Sequence, residues 1–534
     1  MTNSDQAEAS KGVEKQDKSS DGQKSLLFSA LGMGAGTLIS RVLGLFRDAA
    51  LAAFFSKTVL DCFAIGFRLP NFFRRVMGEG ALSVSFIPSY LELKIKDPIE
   101  AEKLKNVTFS FLFCLSALLC ILGTLYIGPL LNLIIDKESF STDPAKFELA
   151  VRMAKWMFGY LFLVTQFAYF MSVLNAHKKF WVAGVAPAFF NLGFLVFIFL
   201  PSEYVFFTGQ QLTWGVLFGG GLQVLIVGLS FVKHFGFPKF NFNMLFKPFR
   251  RVLLATTPSL FGIGVLQMIS LVNINLCSRV GDGAHGYLYF ADRILELPQS
   301  LIAVSLGTAM LPSLTEMWIK SRKDFDSTLI RSLRVYLFFG VPSALGLFFL
   351  SLPITQLLFQ RGAFGLERSV EVASLVQIYG GLLVVSGLSR ILLPVYYSFK
   401  NTWYPAVSAV LVLVSHYFLG RVFVEEFGLP GVALTTLVSG AVNFGLLLLG
   451  LKLFIGRAYV FDILKSALSL SPVFLSLTGF LWLVRGYIPV EKTFMGALLI
   501  CAVIGGSVLL YFASAVVFKV DEAKIFKKIL AKVL

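Results

Sequence analysis

The chain has 534 residues, 56% of them hydrophobic and 15% charged, with 56 phenylalanines and a formal net charge of +16. Soluble globular domains carry about 25% charged residues, so the composition excludes that class and defines a polytopic membrane protein. Lys and Arg are spread over short connections and gathered on no soluble domain, so the positive charge reads as a bias toward lipid headgroups and the cytoplasmic face, with no nucleic-acid partner expected.

Residues 1–24 are rich in Ser, Lys, Asp, Glu and Gln and lack an apolar signal-peptide core, so they are expected to form a disordered cytoplasmic tail. Apolar runs able to cross a bilayer, about 20 residues each, then recur at 26–55, 62–92, 107–135, 149–174, 180–200, 212–233, 252–278, 286–318, 328–358, 372–398, 403–423, 429–454, 462–485 and 494–518. The fold class is therefore all-α and polytopic with about fourteen membrane helices.

The first run carries a polar stripe. Ser40, Arg41, Gly44, Arg47 and Asp48 fall at i, i+1, i+4, i+7 and i+8, one narrow helix face. GMGAG at 32–36 resembles a phosphate loop, but with no preceding strand and no Lys-Ser/Thr it reads as a close-packing site. The second run holds Asp61, Arg68, Asn71, Arg74, Arg75 and Glu79, with Pro70 expected to kink it where the cations crowd. A charge at the bilayer centre costs roughly 2.5 to 3.5 kcal/mol on insertion scales, so such residues face a protein interior or a wet cavity.

The connections after runs 2, 4, 6, 8, 10 and 12 carry the basic residues, among them Lys94, Lys178, Arg250, Lys323, Lys400 and Arg457, whereas the intervening ones are poor in Lys and Arg or mixed, as in Asp136 to Glu148. With the basic tail 519–534 on the same side, both termini are expected in the cytoplasm of a bacterial inner-membrane protein.

In the seventh run, Asn273 and Asn275 are expected to hydrogen-bond between helices. The eighth holds Asp292, Arg293 and Glu296, in which Arg293 can bridge to Glu296. Arg390 in the tenth is either a pore residue or one that snorkels to the interface. FIPSYLE at 86–92 recurs as MLPSLTE at 310–316, six runs later, each after a charged helix. That echo points to two six-helix lobes, an N-lobe over 25–235 and a C-lobe over 250–455, with a further helix pair over 460–518.

The embedded charges comprise six arginines (Arg41, Arg47, Arg68, Arg74, Arg75, Arg293) and five carboxylates (Asp48, Asp61, Asp292, Glu79, Glu296), with no lysine counted among them. Guanidinium forks suit diphosphate and carboxylate equally. The bland reading, buried ion pairs fixing helix packing, competes for each residue singly. Cys62, Cys114, Cys120, Cys277 and Cys501 have neither a disulfide nor a zinc spacing, and His177, His234, His285 and His416 belong to no ligand motif, so no metal, cofactor or catalytic residue is expected.

SRVLGLFRD at 40–48, Asp61, FRLPNFFRRVMGEGALSVSFIP at 67–88, and YFADRILELP with SLGTAMLPSL at 289–314 resemble the signature of the MurJ (MviN) family of bacterial lipid II flippases, within the multidrug/oligosaccharidyl-lipid/polysaccharide exporter superfamily. The resemblance implies alternating access in a two-lobe transporter. Its cationic cavity would take the diphosphate-sugar-peptide head of the undecaprenyl-linked peptidoglycan precursor, and helices 13 and 14 would form a groove for the lipid tail. It also implies that Arg41, Arg47, Asp61, Arg74 and Arg293 are functionally required, with Asp48, Arg75 and Glu79 matching the family pattern; the four arginines are expected to bind the diphosphate, in a cavity supported by Ser40, Asp48, Asp61, Arg68, Asn71, Arg75, Glu79, Asp292 and Glu296. Where some members have a sodium-binding carboxylate in helix 7, this chain has asparagines, so the coupling ion is open. The expected partners are lipid II and membrane lipids, the chain acting as a monomer or within a cell-wall synthesis complex. Two other functions compete. An exporter of organic cations would want carboxylates and aromatics in its site, and an enzyme acting on polyprenyl phosphates would want a base with metal-holding carboxylates on aqueous loops.

Overall fold

The structure is a computed structural model, and it describes residues 36, 38–78, 81–135, 144–177, 179–399, 401–487 and 494–523. Among these every regular element is helical, and a helix stands in each of the fourteen expected crossings. Nine are long and apolar enough to cross a bilayer on length and composition alone: Pro98–Leu125, Pro144–Ala176, Gln210–Phe235, Arg322–Phe349, Leu366–Ser398, Trp403–Phe427, Leu429–Ile455, Val460–Tyr487 and Met495–Val517. The Lys57–Gly78 helix falls short of that measure because Lys57, Asp61, Arg68, Arg74 and Arg75 interrupt its apolar surface, and it runs as one element with Pro70 inside it.

The chain forms two compact units. The first takes residues up to Leu51, Ile65–Leu131 and Glu148–Ile263; the second takes Ala52–Ala64, Asn132–Phe147 and Gly264–Leu534. Lipid tails are as apolar as leucine, so helices in a bilayer associate through close packing and interhelical hydrogen bonds. The first unit shows both. Gly215 and Gly219 form a GxxxG step on the Gln210–Phe235 helix, and a Cβ at Gly219 would collide with the Phe190 carbonyl oxygen of Phe180–Ile198. Phe86, Tyr90, Phe109, Tyr169 and Phe231 build its aromatic core.

The second unit packs Phe325, Tyr336, Phe338, Tyr396, Tyr459 and Tyr511 among leucines and valines. Tyrosines in both units, buried except for the partly buried Tyr404, reach across to main-chain carbonyls: Tyr169 to Lys105 in the first, and Tyr336 to Leu383, Tyr404 to Leu446 and Tyr511 to Phe338 in the second. Asn273 and Asn275 do bond outside their own helix. His416 Nε2 meets Asn273 Oδ1 at 2.9 Å while its Nδ1 meets Ser439 Oγ at 3.0 Å, and Asn275 donates to the Ile134 carbonyl. Arg390 is exposed on the Leu366–Ser398 helix.

Candidate functional site

In the first unit the polar face of helix 38–54 is closed by one asparagine. Arg47 Nε and Nη2 both donate to Asp48 Oδ1, at 3.0 and 2.8 Å, and Nη1 donates to Asn191 Oδ1 at 2.8 Å. The Asn191 amide nitrogen donates to the Ser40 carbonyl at 2.8 Å. Gly44 lies beside this amide, and a Cβ there would sit 3.4 Å from Asn191 Nδ2, an ordinary contact. The guanidinium carbon sits 5.9 and 5.5 Å from the Phe190 and Phe194 ring centroids. The Arg47 and Asp48 side chains are only 9% and 4% exposed, so this is a paired, desolvated charge. Removing one partner of such a pair costs roughly 3 to 5 kcal/mol.

Arg41, Arg68, Asn71 and Arg75 are partly buried in the same unit. The Arg74 side chain and Glu79 lie outside the described residues.

Asp61 belongs to the second unit and is fully buried. Its Oδ2 accepts from Lys146 Nζ at 2.5 Å, and its Oδ1 accepts from the main-chain nitrogens of His285 and Gly286 at 2.8 and 3.2 Å. The Ala284–Gln299 helix starts at Gly283, which has φ +94 and no side chain with which to cap it. Asp61 therefore supplies an N-terminal cap from another helix, where a carboxylate is favoured by the free N–H groups and the helix dipole. Lys146 also reaches Asp282 Oδ1 at 2.6 Å, and Lys57 approaches the other oxygen at 3.9 Å.

This corrects the count of embedded cations. Lys146 comes from the stretch read as a mixed aqueous connection, yet its side chain is 7% exposed and lies among the buried charges, because two carboxylates replace its water.

Further along the Ala284–Gln299 helix, Asp292 accepts a 3.1 Å bond from the Tyr379 hydroxyl, and Arg293 donates to Glu296 at 2.7 Å with its guanidinium 4.9 Å from the Tyr289 ring. Glu296 is exposed and Arg293 partly so, which leaves this arginine the more solvated of the two whose pairing is described.

The second unit also holds an apolar cavity of about 320 Å³, walled by Pro342, Gly346 and Leu350 on one side and by Leu477, Ile504 and Tyr511 of the last two crossings on the other.

The site residues thus fall into three groups: Ser40, Arg47 and Asp48 in the first unit, and Asp61 and then Asp292, Arg293 and Glu296 in the second. Asn191, Lys146, Asp282 and His285 were missed, for each is an ordinary residue until its distant partner is known.

Helices in all fourteen expected crossings, with buried arginines and carboxylates among them, are the features of a polytopic membrane protein of the exporter fold, and two solved structures share that fold. An inward-facing multidrug resistance MATE family transporter of the MOP superfamily aligns with a TM-score of 0.64, covering 80% of this chain and 99% of that one, at 13% identity, which shows the shared fold. A solved inward closed conformation of the lipid II flippase MurJ aligns at 0.75 and 27% identity, covering 91% of this chain and 98% of that one.

The chain belongs to the lipid II flippase MurJ family, whose model matches residues 51–502. It is 40% identical over 432 residues to a probable lipid II flippase MurJ of Bdellovibrio bacteriovorus, covering 80% of this chain and 82% of that protein. It is 33% identical over 434 residues to the lipid II flippase MurJ of Burkholderia cenocepacia, covering 80% and 84%.

Proposed function

We propose that this chain flips lipid II, carrying the undecaprenyl-diphosphate-linked peptidoglycan precursor from the cytoplasmic to the periplasmic leaflet of the bacterial inner membrane by alternating access. The observation that carries the reading is the family match over residues 51–502, which takes in eight of the eleven embedded charges, Arg41, Arg47 and Asp48 lying just before it. We assign the diphosphate to Arg41, Arg47, Arg74 and Arg293, because a guanidinium offers two parallel N–H donors to a phosphate edge. Arg47 is held by Asp48 and Asn191 here, so a substrate diphosphate competes with these two for its N–H donors. The apolar cavity beside the last two crossings suits the prenyl tail. The basic connections support a cytoplasmic position for both termini.

An arginine-rich site disfavours organic cations, which separates this reading from a drug exporter of the same fold. The test is complementation of a strain depleted of its native flippase, scored by whether lipid II becomes accessible on the outer leaflet. The chain should restore it, and Arg47→Ala and Arg293→Ala should not, at equal protein levels. If lipid II stays trapped with the unaltered chain present in the membrane, the function is wrong; if both variants flip normally, the diphosphate assignment is wrong.

A further inference from the structure

In the first unit, the segment joining the Gln210–Phe235 and Lys247–Val280 helices is fastened to a third helix. Gly236, at φ +70, ends the first of the two, and residues 237–243 then run without regular structure along the flank of Pro98–Leu125. Two buried side chains of that flank take main-chain N–H groups of the segment. Asn106 Oδ1 accepts from Lys239 at 3.3 Å and Ser110 Oγ from Asn241 at 2.7 Å, while the Ser110 hydroxyl donates to the Asn106 carbonyl at 2.9 Å. On an aqueous loop water would serve these N–H groups; built-in acceptors are what an irregular segment needs where water is scarce.

The side chains divide between the helix and the outside. Phe240 sets its ring against Phe109 and Phe113, each centroid 5.3 Å away, and Phe242 stacks on it at 5.9 Å. Phe237 and Leu245 are 81% and 80% exposed, and Phe240 and Phe242 keep more than half of their surface free. Rings and leucines presented beside cations are the composition of a surface that enters the boundary between lipid headgroup and acyl chain.

Charge gives this surface its sign. Lys239 stands among the rings, Lys233, Lys247, Arg250 and Arg251 flank them, and all five are exposed. No Asp or Glu occurs between Glu203 and Asp282. On the neighbouring helices Glu92 holds Lys96 at 2.6 Å and Glu102 holds Lys105 at 2.7 Å, while Glu100 lies exposed in the first turn of Pro98–Leu125 and Lys103 sits 4.7 Å from the Phe246 ring.

We propose that this connector is a docking surface for anionic phospholipid in the leaflet on which the basic connections lie, its rings entering the headgroup boundary and its lysines and arginines taking the lipid phosphates. A soluble phosphate would meet the cations and leave the rings in water; a lipid covers both. An ordinary basic connection satisfies the positive-inside bias with charge alone, whereas Asn106 and Ser110 fix where these cations stand relative to the rings. The inference needs only that the chain spans a membrane, and it stands apart from the flippase reading.

The test uses the full chain in nanodiscs without lipid II, with Cys114→Ser and Cys501→Ser removing the exposed thiols and Asn243→Cys, at an exposed position, carrying a bimane fluorophore. Discs of phosphatidylcholine receive a minor fraction of doxyl-labelled lipid, either phosphatidylglycerol or phosphatidylcholine. Half-quenching should need a roughly tenfold smaller fraction of the anionic lipid, since each basic residue near an anionic surface adds attraction. With Lys239→Gln, Lys247→Gln, Arg250→Gln and Arg251→Gln together, the two lipids should quench alike. Equal quenching with the native connector, or a preference that survives the quadruple variant, overturns the proposal. Should that variant fail to fold, salt takes its place. Between about 0.1 M and about 1 M the screening length shrinks from about 10 Å to about 3 Å, and the preference should collapse; a preference indifferent to salt also overturns the proposal. Inorganic phosphate at constant ionic strength should leave the quenching unchanged, and release of the labelled lipid by phosphate would make this a site for a soluble anion and overturn the assignment to lipid.

Discussion

Asn191 holds Arg47 from 144 positions away, its amide oxygen taking a 2.8 Å hydrogen bond from guanidinium Nη1. Because the same amide gives its nitrogen to the Ser40 carbonyl, the group has one orientation, and it fixes which edge of Arg47 faces Asp48 and which edge a phosphate could take. A hydrogen bond to a charged group is worth about 1.5 to 3 kcal/mol. Asn191→Ala should therefore slow flipping by roughly 10- to 100-fold at normal protein levels, measured as lipid II accessibility in the complemented strain. Full activity would show that Asn191 only packs two helices.

Two neighbouring glycines separate packing from propensity. Gly219 touches the Phe190 carbonyl, whereas Gly221 has nothing within 4 Å of where a Cβ would sit. Gly219→Ala should destabilise the first unit by about 1 to 3 kcal/mol, and Gly221→Ala should be neutral or stabilise its helix by up to about 1 kcal/mol. Thermal unfolding of the two purified variants checks both signs at once, and equal shifts would mean that the close approach carries no energy.

His177, just beyond the Tyr160–Ala176 helix, makes the protein acid-sensitive. Burial, and then the lysines around it with Lys94 first, push the ring down to about 4. Its Nδ1 lies 3.1 Å from the Lys94 ammonium, which can donate only to a bare nitrogen. Between about pH 4 and the ordinary histidine value of about 6.5, the unfolded chain binds a proton that the folded chain refuses, so stability falls as pH drops through that window and is constant above it. Unfolding temperature between about pH 7 and about pH 4.5 should fall less in His177→Gln than in the unmutated chain; parallel curves would remove this histidine from the acid response.

Orientation is tested at Lys323, an exposed residue in the first turn of the Arg322–Phe349 helix. With both termini in the cytoplasm, Lys323→Cys should be labelled by an impermeant maleimide in inverted vesicles and be silent in intact spheroplasts. The reverse pattern would turn the whole chain over.

Run length and charge placement made much of this molecule legible from its residues. Fourteen apolar runs are a direct record of bilayer thickness, and the Ser40–Asp48 stripe survives because its spacing is set by one helix. The Asp61 environment was hidden, because its partners Lys146 and His285 lie 85 and 224 positions away. Periodicity describes the faces of a helix; it says nothing about which distant face will be opposite. Asn191 was invisible for the same reason, a single polar residue in an apolar run whose bond partner is a cation on another helix.

The tyrosines that donate to main-chain carbonyls carry one further consequence. Each needs a hydroxyl on one helix, and two of the receiving helices also need a glycine that makes room for the ring: a Cβ at Gly387 would collide with the Tyr336 hydroxyl oxygen, and one at Gly450 with the Tyr404 ring. Carbonyls recur with each turn of a receiving helix, about 5.4 Å along its axis. A slip by one turn would offer the hydroxyl another carbonyl but bring a side chain to the place of Gly387 or Gly450, so these staples hold each such pair in a single register.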